Sequence, residues 1–423
     1  MFEVAVFAAT ILWIIEGLLS GKGVVKEHEV LLPLLLIVLF ALVQTVPLSH
    51  STIAGVSITR TISADPFETR RFILVLLAHT LVLAMLLRFA DTRSRLRILT
   101  YVIIGSGMGV AVFGLLRFAL QPQQGGFILH YLKGETGFGP FINRDHFSFL
   151  MEIAMGLIVG LAIFGGLGKW KLRLFFGLGL TMWLATSLSS SRGGASALVC
   201  QIMLGSFLAI SDRSEILRGP FARTLRRASR SLPVRLAALV AILIVIVAAS
   251  IWIGGDRFRY SVEMMPAEIG VDPSEYSVRR ADIWQAGWQL FKAYPIVGTG
   301  FGGFSAAITR YHEKAGIYTI RQAHNDYLEI LTSGGLIAAA LGIWFVFGIY
   351  RVVAARLRTD SGFILAARWG AVIAFFGVAI HSFVDFGLHV PGNSIALMAV
   401  LAISLVDVGR KAVKGSARRV ASF

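Results

Sequence analysis

Long apolar runs separated by short polar intervals make up most of this 423-residue chain. A helix of about 20 residues crosses the roughly 30 Å hydrocarbon layer of a membrane, and eleven runs approach or exceed that length. They fall near residues 4–20, 30–48, 71–89, 98–120, 146–166, 172–190, 193–211, 236–254, 327–350, 364–382 and 391–409. Backbone groups in lipid must be satisfied within their own segment, which favours helices as the spanning element. We therefore predict an all-α polytopic membrane protein with 11–12 transmembrane helices.

One long polar interval, residues 255–326, interrupts the pattern. Within it Trp284, Trp288 and Phe291 recur at helical spacing, which predicts an amphipathic helix opening near Arg280. Pro295 ends that helix, and a glycine-rich turn follows over residues 298–304.

Three regions follow from this pattern. We expect N-terminal transmembrane helices over 1–254, a large outer loop of short helices over 255–326, and C-terminal transmembrane helices with a basic tail over 327–423. Residues 1–20 lack a basic n-region and a cleavage site, so they are read as a retained span.

Composition supports the membrane class, since 56% of the residues are hydrophobic and only 15% are charged. A net charge of +16 would suggest a nucleic-acid partner in a soluble protein. Here the basic residues flank apolar spans, so the positive-inside rule explains them and no nucleic acid is expected. Cys200 is the only cysteine, which excludes an intramolecular disulfide.

The basic residues cluster in alternate loops, and this sets the predicted orientation. The face that carries them, expected to be cytoplasmic, holds Arg93, Arg95, Arg97, Lys169, Lys171, Arg173, seven arginines between 213 and 235, Arg351, Arg356, Arg358 and the C-terminal tail. The intervals 121–145, 188–193, 255–326 and 383–390 then face outward, and eleven spans also place Met1 outside.

Four polar motifs map to that outer face. They are Phe141-Ile142-Asn143-Arg144-Asp145-His146, Ser191-Arg192-Gly193-Gly194, the loop from Arg279 to Leu328, and His381-Ser382-Phe383-Val384-Asp385-Phe386. Each also has a structural explanation: Asn143, Asp145 or Ser191 would cap a helix, Arg192 would reach the headgroups, and His381 with Asp385 would form a hydrogen bond. Together on one face they favour a site, because ionisable groups near membrane depth are costly.

In order along the chain, these motifs resemble the bacterial O-antigen ligase and O-antigen polymerase superfamily. The resemblance covers roughly Gly139 to Gly392, and its most specific part is His324-Asn325-Asp326-Tyr327-Leu328 with the upstream glycine turn. It implies an inner-membrane glycosyltransferase with a periplasmic active site. The donor would be a glycan on undecaprenyl pyrophosphate, and a ligase would place it on lipid A-core. No metal or nucleotide sugar is implied.

The residue chemistry agrees with that implication. Arginine forks suit a departing pyrophosphate, and a histidine near its ordinary pKa of about 6.5 suits an acceptor hydroxyl. The resemblance points to His324 as catalytic and to Arg192 and Arg280 as pyrophosphate ligands. Arg280 is preferred over Arg279 because it keeps a four-residue spacing to Trp284. Further substrate-binding candidates are Arg279, Asn143, Arg144, His146, Asn325, Asp326, Tyr327, Trp284, His381 and Asp385.

Three alternatives stay open. In the first, His324 serves only as a packing residue at a helix start. In the second, the enzyme is a polymerase that extends carrier-linked repeats. In the third, the basic outer cavity belongs to a transporter of anionic lipids. We expect no metal and no cofactor, because the sequence contains no His-Glu-x-x-His motif, no Asp-x-Asp pair and no cysteine cluster. The glycine turn lacks Gly-Lys-Ser/Thr, so it is not a nucleotide loop.

Overall fold

The computed structural model describes residues 2–20, 28–53, 56–120, 137–165, 167–211, 240, 280–311 and 320–408. Twelve helices are bounded within these ranges: α1 (Phe2–Ser20), α2 (His28–Gln44), α3 (Pro66–Phe89), α4 (Arg93–Leu120), α5 (Arg144–Phe164), α6 (Lys169–Ser189), α7 (Arg192–Ser211), α8 (Arg280–Ala293), α9 (Phe304–Ile308), α10 (Asp326–Thr359), α11 (Gly362–His381) and α12 (Pro391–Leu405). A single 3-10 turn, Gly387–His389, precedes α12.

The membrane class is confirmed. Among the described helices, eight are long and apolar enough to cross a membrane, and α2 and α12 are shorter apolar helices. These ten helices coincide with ten of the eleven predicted runs, and the run 236–254 lies outside the described residues apart from residue 240. The helix predicted to end at Pro295 is α8.

A two-stranded antiparallel hairpin was not predicted. Strands β1 (Ser49–Ile53) and β2 (Val56–Arg60) pair with Ser49 opposite Arg60, and the amide of Leu48 donates to the carbonyl of Arg60 at 2.8 Å. The segment is rich in β-branched residues, which favour strands, but its apolar runs are too short to stand out beside the neighbouring spans.

Helices α5 and α11 form the centre of the bundle. Their backbones touch where glycines meet: a Cβ added to Gly160 would lie 2.2 Å from the amide nitrogen of Gly370, and one added to Gly156 would lie 2.4 Å from that of Ala374. Small residues permit this close approach between helices in a membrane. Because the chain direction in α5 is opposite to that in α11, the start of α5 and the end of α11 lie together.

The two ends of the bundle differ in charge. At one end, Arg97 at the start of α4 lies over the Phe363 ring at the start of α11, with 5.1 Å to its centroid, and Arg351 near the end of α10 lies 4.0 Å from Glu29. This end, called the basic end, holds the short arginine- and lysine-rich loops. The opposite end, called the site end, holds the starts of α3, α5, α7, α10 and α12.

The glycine-rich turn after α8 is docked into the site end. Helix α10 is interrupted at Gly335 (φ 59°, ψ −157°), which frees the carbonyls of Thr332 and Ser333. They accept hydrogen bonds from the amides of Thr299 and Gly300, each at 2.9 Å. The turn therefore takes the place of the missing helical bonds of α10.

Gln44 at the end of α2 reinforces this docking. It is fully buried, donates to the carbonyl of Val297 at 2.7 Å, and accepts from the amide of Phe301 at 3.3 Å. The Phe301 ring stacks on Phe72 of α3 with 4.4 Å between centroids, and Thr69 donates to the Phe301 carbonyl at 2.6 Å. Helix α8 is thus held against three membrane helices by its C-terminal turn.

Arg368, within the apolar helix α11, joins that helix to the end of α12. Its side chain is fully buried, forms an ion pair with Asp360, and donates to the carbonyls of Ile403, Ser404 and Val406. It satisfies the carbonyls that a helix leaves open at its C-terminus.

We expect Arg368→Met to lower the stability of the bundle. Removal of one partner from a buried, hydrogen-bonded ion pair costs on the order of 3–5 kcal/mol. The melting temperature of the purified protein in detergent should therefore fall by several degrees. Arg351→Met is the matched control, because that arginine is 64% exposed and its 4.0 Å distance from Glu29 makes a weak ion pair. Equal melting temperatures for the two variants would contradict the assigned role of Arg368.

Gly335→Ala should release the docked turn. A Cβ at this position would lie 2.3 Å from the carbonyl oxygen of Ile296, and the backbone conformation itself costs a non-glycine residue on the order of 1–3 kcal/mol. We expect a lower melting temperature and faster proteolysis of the loop. Gly342→Ala on the same helix has no atom within 4 Å of the added carbon and should be at least as stable as the wild type. Resistance of Gly335→Ala to proteolysis equal to that of Gly342→Ala would refute the docking.

Candidate active site

Asp145 gathers polar groups from three separate segments at the site end. It lies in the first turn of α5, where Asn143 caps the helix by accepting from the Asp145 amide at 2.8 Å. The Ser191 hydroxyl, from the turn before α7, donates to Asp145 Oδ1 at 2.6 Å. Arg280, the first residue of α8, places a guanidinium nitrogen 3.4 Å from Asp145 Oδ2.

Two further guanidinium groups, of Arg192 and Arg144, lie in the same part of the site. Arg192 lies close enough to Arg144, Arg280 and Asp145 to interact electrostatically with all three. The three guanidinium groups outnumber the two carboxylates, Asp145 and nearby Asp385, and this excess of positive charge suits an anion. The forked geometry of arginine adds paired hydrogen bonds to phosphate oxygens.

The His324 side chain lies beside a second carboxylate, that of Asp385. Its Nδ1 lies 3.5 Å from Asp385 Oδ1, and the same oxygen is 4.0 Å from His146 Nε2. The Phe386 ring meets His324 edge-on, with 4.8 Å between the ring centroids, and meets His146 in the same way at 4.9 Å. His324 is 32% exposed along its side chain, so its ring is open on the side away from Asp385.

Asp385 is held in its charged form. Burial raises the pKa of this carboxyl, but contact with His324, the Phe386 amide at 2.8 Å and the nearby Arg280 outweigh burial and hold the pKa below its usual range. An ionised carboxylate beside Nδ1 favours the tautomer with its proton on that nitrogen. Nε2 is then left with a free lone pair.

The two carboxylates connect the arginine side of the site to the histidine side. One oxygen each of Asp145 and Asp385 and a ring nitrogen of His381 lie within 4.8 Å of one another. A continuous path of contacts therefore runs from Arg280 through Asp145 and Asp385 to His324. The site end thus brings residues that are more than 100 positions apart in the sequence into one cluster.

The set of Asp145, His381 and Asp385 offers one ligand atom each to a cation. Its surroundings disfavour one: Asp145 is already bonded by Ser191 and Arg280, and the guanidinium groups at its rim repel a second positive charge. In this geometry the arginines supply the positive charge that a metal would otherwise bring.

Residues 177–343 match the family model described as O-Antigen ligase. This part of the chain is therefore similar to the O-antigen ligase and polymerase superfamily. The matched range begins within α6, ends within α10 and contains Arg192, Arg280 and His324. This family performs glycosyl transfer between lipid-linked substrates. No curated protein matches the chain.

At the site end, several predicted residues carry structural contacts. The Asn325 side chain caps α10 by accepting from the Leu328 amide at 3.0 Å. Asp326 accepts from the Ser382 hydroxyl at 2.7 Å, and the Tyr327 hydroxyl donates to the carbonyl of Ala379 at 2.8 Å. These contacts tie the start of α10 to the end of α11.

Trp284 likewise uses its polar atom within the protein. Its indole N–H donates to the carbonyl of Ala323 at 3.1 Å. The buried face of α8 is formed by Ile283, Ala286, Gly287 and Leu290, whereas Trp288 is 46% exposed. The aromatic stripe seen in the sequence thus borders the buried face. Arg279 lies outside the described residues, so the choice between it and Arg280 rests on the position of Arg280 alone.

His381 is placed where a substrate does not reach it. The side chain is fully buried, its Nδ1 lies 2.6 Å from Glu152 Oε1, and its ring stacks on Phe149 with 4.2 Å between centroids. Asp385, the partner expected from the sequence, bonds to the His381 backbone, since the Asp385 amide donates to the His381 carbonyl at 3.1 Å. His381 therefore supports the site from beneath.

Sequence reasoning missed Glu152, Glu329 and His389. Glu152 is a lone carboxylate inside an apolar span, which is itself a signal of a buried polar partner. His389 places Nε2 3.7 Å from Asp326 Oδ1 and 4.0 Å from Glu329 Oε1. Glu329 follows His324 by five residues, and this closeness in sequence is the signal that its carboxylate could hold the backbone there.

Proposed function

We propose that the protein transfers a glycan from undecaprenyl pyrophosphate to lipid A-core on the periplasmic side of the bacterial inner membrane. The observation that carries this proposal is the path from Arg280 through Asp145 and Asp385 to His324, with Arg192 beside its first step. It puts an anion-binding group and a base in one cluster. The family match to an O-antigen ligase supports the substrate class.

The orientation of the site supports the compartment. The short loops at the basic end carry the arginines and lysines, and such loops stay in the cytoplasm. The site end then faces the periplasm. A prenyl tail stays in the bilayer because its withdrawal exposes many CH₂ groups to water, so the donor enters from the side and presents its pyrophosphate to the arginines.

The proposed reaction is a direct displacement. The acceptor hydroxyl oxygen forms a bond to the anomeric carbon as the bond from that carbon to the pyrophosphate oxygen breaks. The electron pair of the broken bond leaves with undecaprenyl pyrophosphate, where Arg192 and Arg280 neutralise the added charge. The hydroxyl proton passes to Nε2 of His324, and Asp385 stabilises the imidazolium that results. Configuration at the anomeric carbon is inverted.

We expect His324→Ala to abolish transfer. General-base catalysis contributes roughly 10²- to 10⁴-fold, so the rate should fall by at least about 100-fold. Purified protein in liposomes is supplied with carrier-linked glycan and lipid A-core, and glycan attached to the core is measured by gel electrophoresis. His50→Ala, an exposed histidine that pairs only with Thr59 among its described contacts, is the matched control. A fully active His324→Ala variant would refute the assigned base.

The same assay separates the other activities. Longer carrier-linked chains without modified core would identify a polymerase. Movement of carrier lipid across the liposome membrane without bond formation would identify a transporter. Either product from the wild-type protein, in place of glycan-bearing core, would overturn the ligase assignment.

Arg192→Lys and Arg280→Lys should each lower transfer by roughly tenfold or more. Lysine keeps the positive charge but loses the paired contact to phosphate oxygens. Initial rates over a range of donor concentrations provide the measurement. Arg95→Lys at the basic end is the control, since that side chain is 60% exposed and forms its ion pair with Asp91. Wild-type rates in both site variants would contradict the assigned paired contacts between these arginines and the phosphate oxygens.

A further inference from the structure

The backbone of His324 is held in an unfavourable conformation. Its φ of 49° lies in the left-handed region, and Ser190 is the only other non-glycine residue with a positive φ among the described residues. A side chain in this region costs free energy, so the surrounding structure must impose it. The groups that impose it set where the imidazole points.

Both peptide groups of Ala323 are fixed by side chains. The Ala323 carbonyl, which belongs to the peptide bond leading directly into His324, accepts from the Trp284 indole at 3.1 Å. The Ala323 amide donates to Glu329 Oε2 at 3.0 Å. Ala323 is itself fully buried, so water does not replace either bond.

The residues that follow His324 are fixed as well. The Asp326 amide donates to the Ser382 carbonyl at 2.9 Å, and the Asn325 side chain caps α10. With the peptides on both sides immobilised, His324 has little freedom to relax to a negative φ. Its ring is directed toward Asp385 as a consequence.

The two fixing side chains come from different parts of the molecule. Glu329 lies in the first turns of α10 and is 8% exposed. Trp284 lies one helical turn after Arg280 on α8, so the helix that carries a proposed pyrophosphate ligand also fixes the peptide next to the proposed base.

We propose that Trp284 and Glu329 are positioning residues that hold His324 against Asp385, and that Trp284 couples the placement of His324 to that of Arg280. This inference rests on the proposed function. It assigns Trp284 to the protein's own backbone, whereas the sequence pointed to substrate binding. Neither residue needs to touch the donor or the acceptor.

The test compares Trp284→Phe, Glu329→Leu and Glu329→Gln in the liposome assay, with kcat and KM for the carrier-linked donor measured separately. Phenylalanine keeps the ring but removes the indole donor. Leucine keeps much of the volume but removes the acceptor, and glutamine restores an acceptor oxygen. Trp170→Phe, a 73% exposed position at the opposite end of the bundle, is the control.

We expect kcat to fall roughly tenfold or more in Trp284→Phe and in Glu329→Leu, because small misplacements of a catalytic group are costly. KM for the donor should stay within about twofold, since Arg192 and Arg280 are untouched, and Glu329→Gln should recover most of kcat. Only variants with the melting temperature of the wild type are compared. If Glu329→Leu is less stable, Trp284→Phe alone decides.

Two results would overturn the inference. One is a wild-type kcat in Trp284→Phe, and the other is a loss confined to KM, which would make Trp284 a donor contact. The His324→Ala variant separates this failure from that of the proposed function. If His324→Ala is inactive while Trp284→Phe is fully active, only the positioning role is lost. If His324→Ala is active, the assignment of His324 as the base in the proposed function is wrong.

Discussion

The contact between two carboxylates, Asp145 and Asp385, joins the two halves of the site. Asp145 collects arginines from α7 and α8, and Asp385 orients histidines from α5 and from the start of α10. Two buried negative charges this close are unfavourable alone. Guanidinium groups offset this charge on the Asp145 side, and the ring nitrogens of His324 and His146 lie beside Asp385 on the other.

Packing in the membrane creates this contact. Helices α5 and α11 touch backbone to backbone at Gly160 and Gly370, and their opposite directions bring Asp145 and Asp385 to the same end. Beneath them the buried pair of Glu152 and His381 fills the space between the same two helices. Helix α8 is joined separately, through the turn docked at Gly335, and its first residue, Arg280, reaches Asp145.

Hydropathy predicted the fold because the apolar composition of each span is what allows it to cross the lipid. The same local reasoning selected Arg192, Arg280 and His324 as candidates, since charged groups stand out beside apolar runs and the motifs carry a family resemblance. A local sequence pattern does not show which distant residue a side chain contacts. The pairing of Glu152 with His381, of Gln44 with Phe301 and of Trp284 with Ala323 each joins residues far apart in the sequence, and only the packed bundle reveals them. The hairpin was missed for a different reason, because its short polar strands carry little hydropathy signal.

In the proposed function, arginines bind the donor and a histidine accepts a proton, and binding without turnover tests this division of roles most directly. Purified variants are titrated with undecaprenyl pyrophosphate in detergent at about 0.15 M salt, where surface charges are largely screened. His324→Ala should bind within roughly threefold of the wild type, whereas the double variant Arg192→Ala, Arg280→Ala should bind at least about thirtyfold more weakly. Wild-type affinity in the double variant, or loss of binding in His324→Ala, would contradict the account.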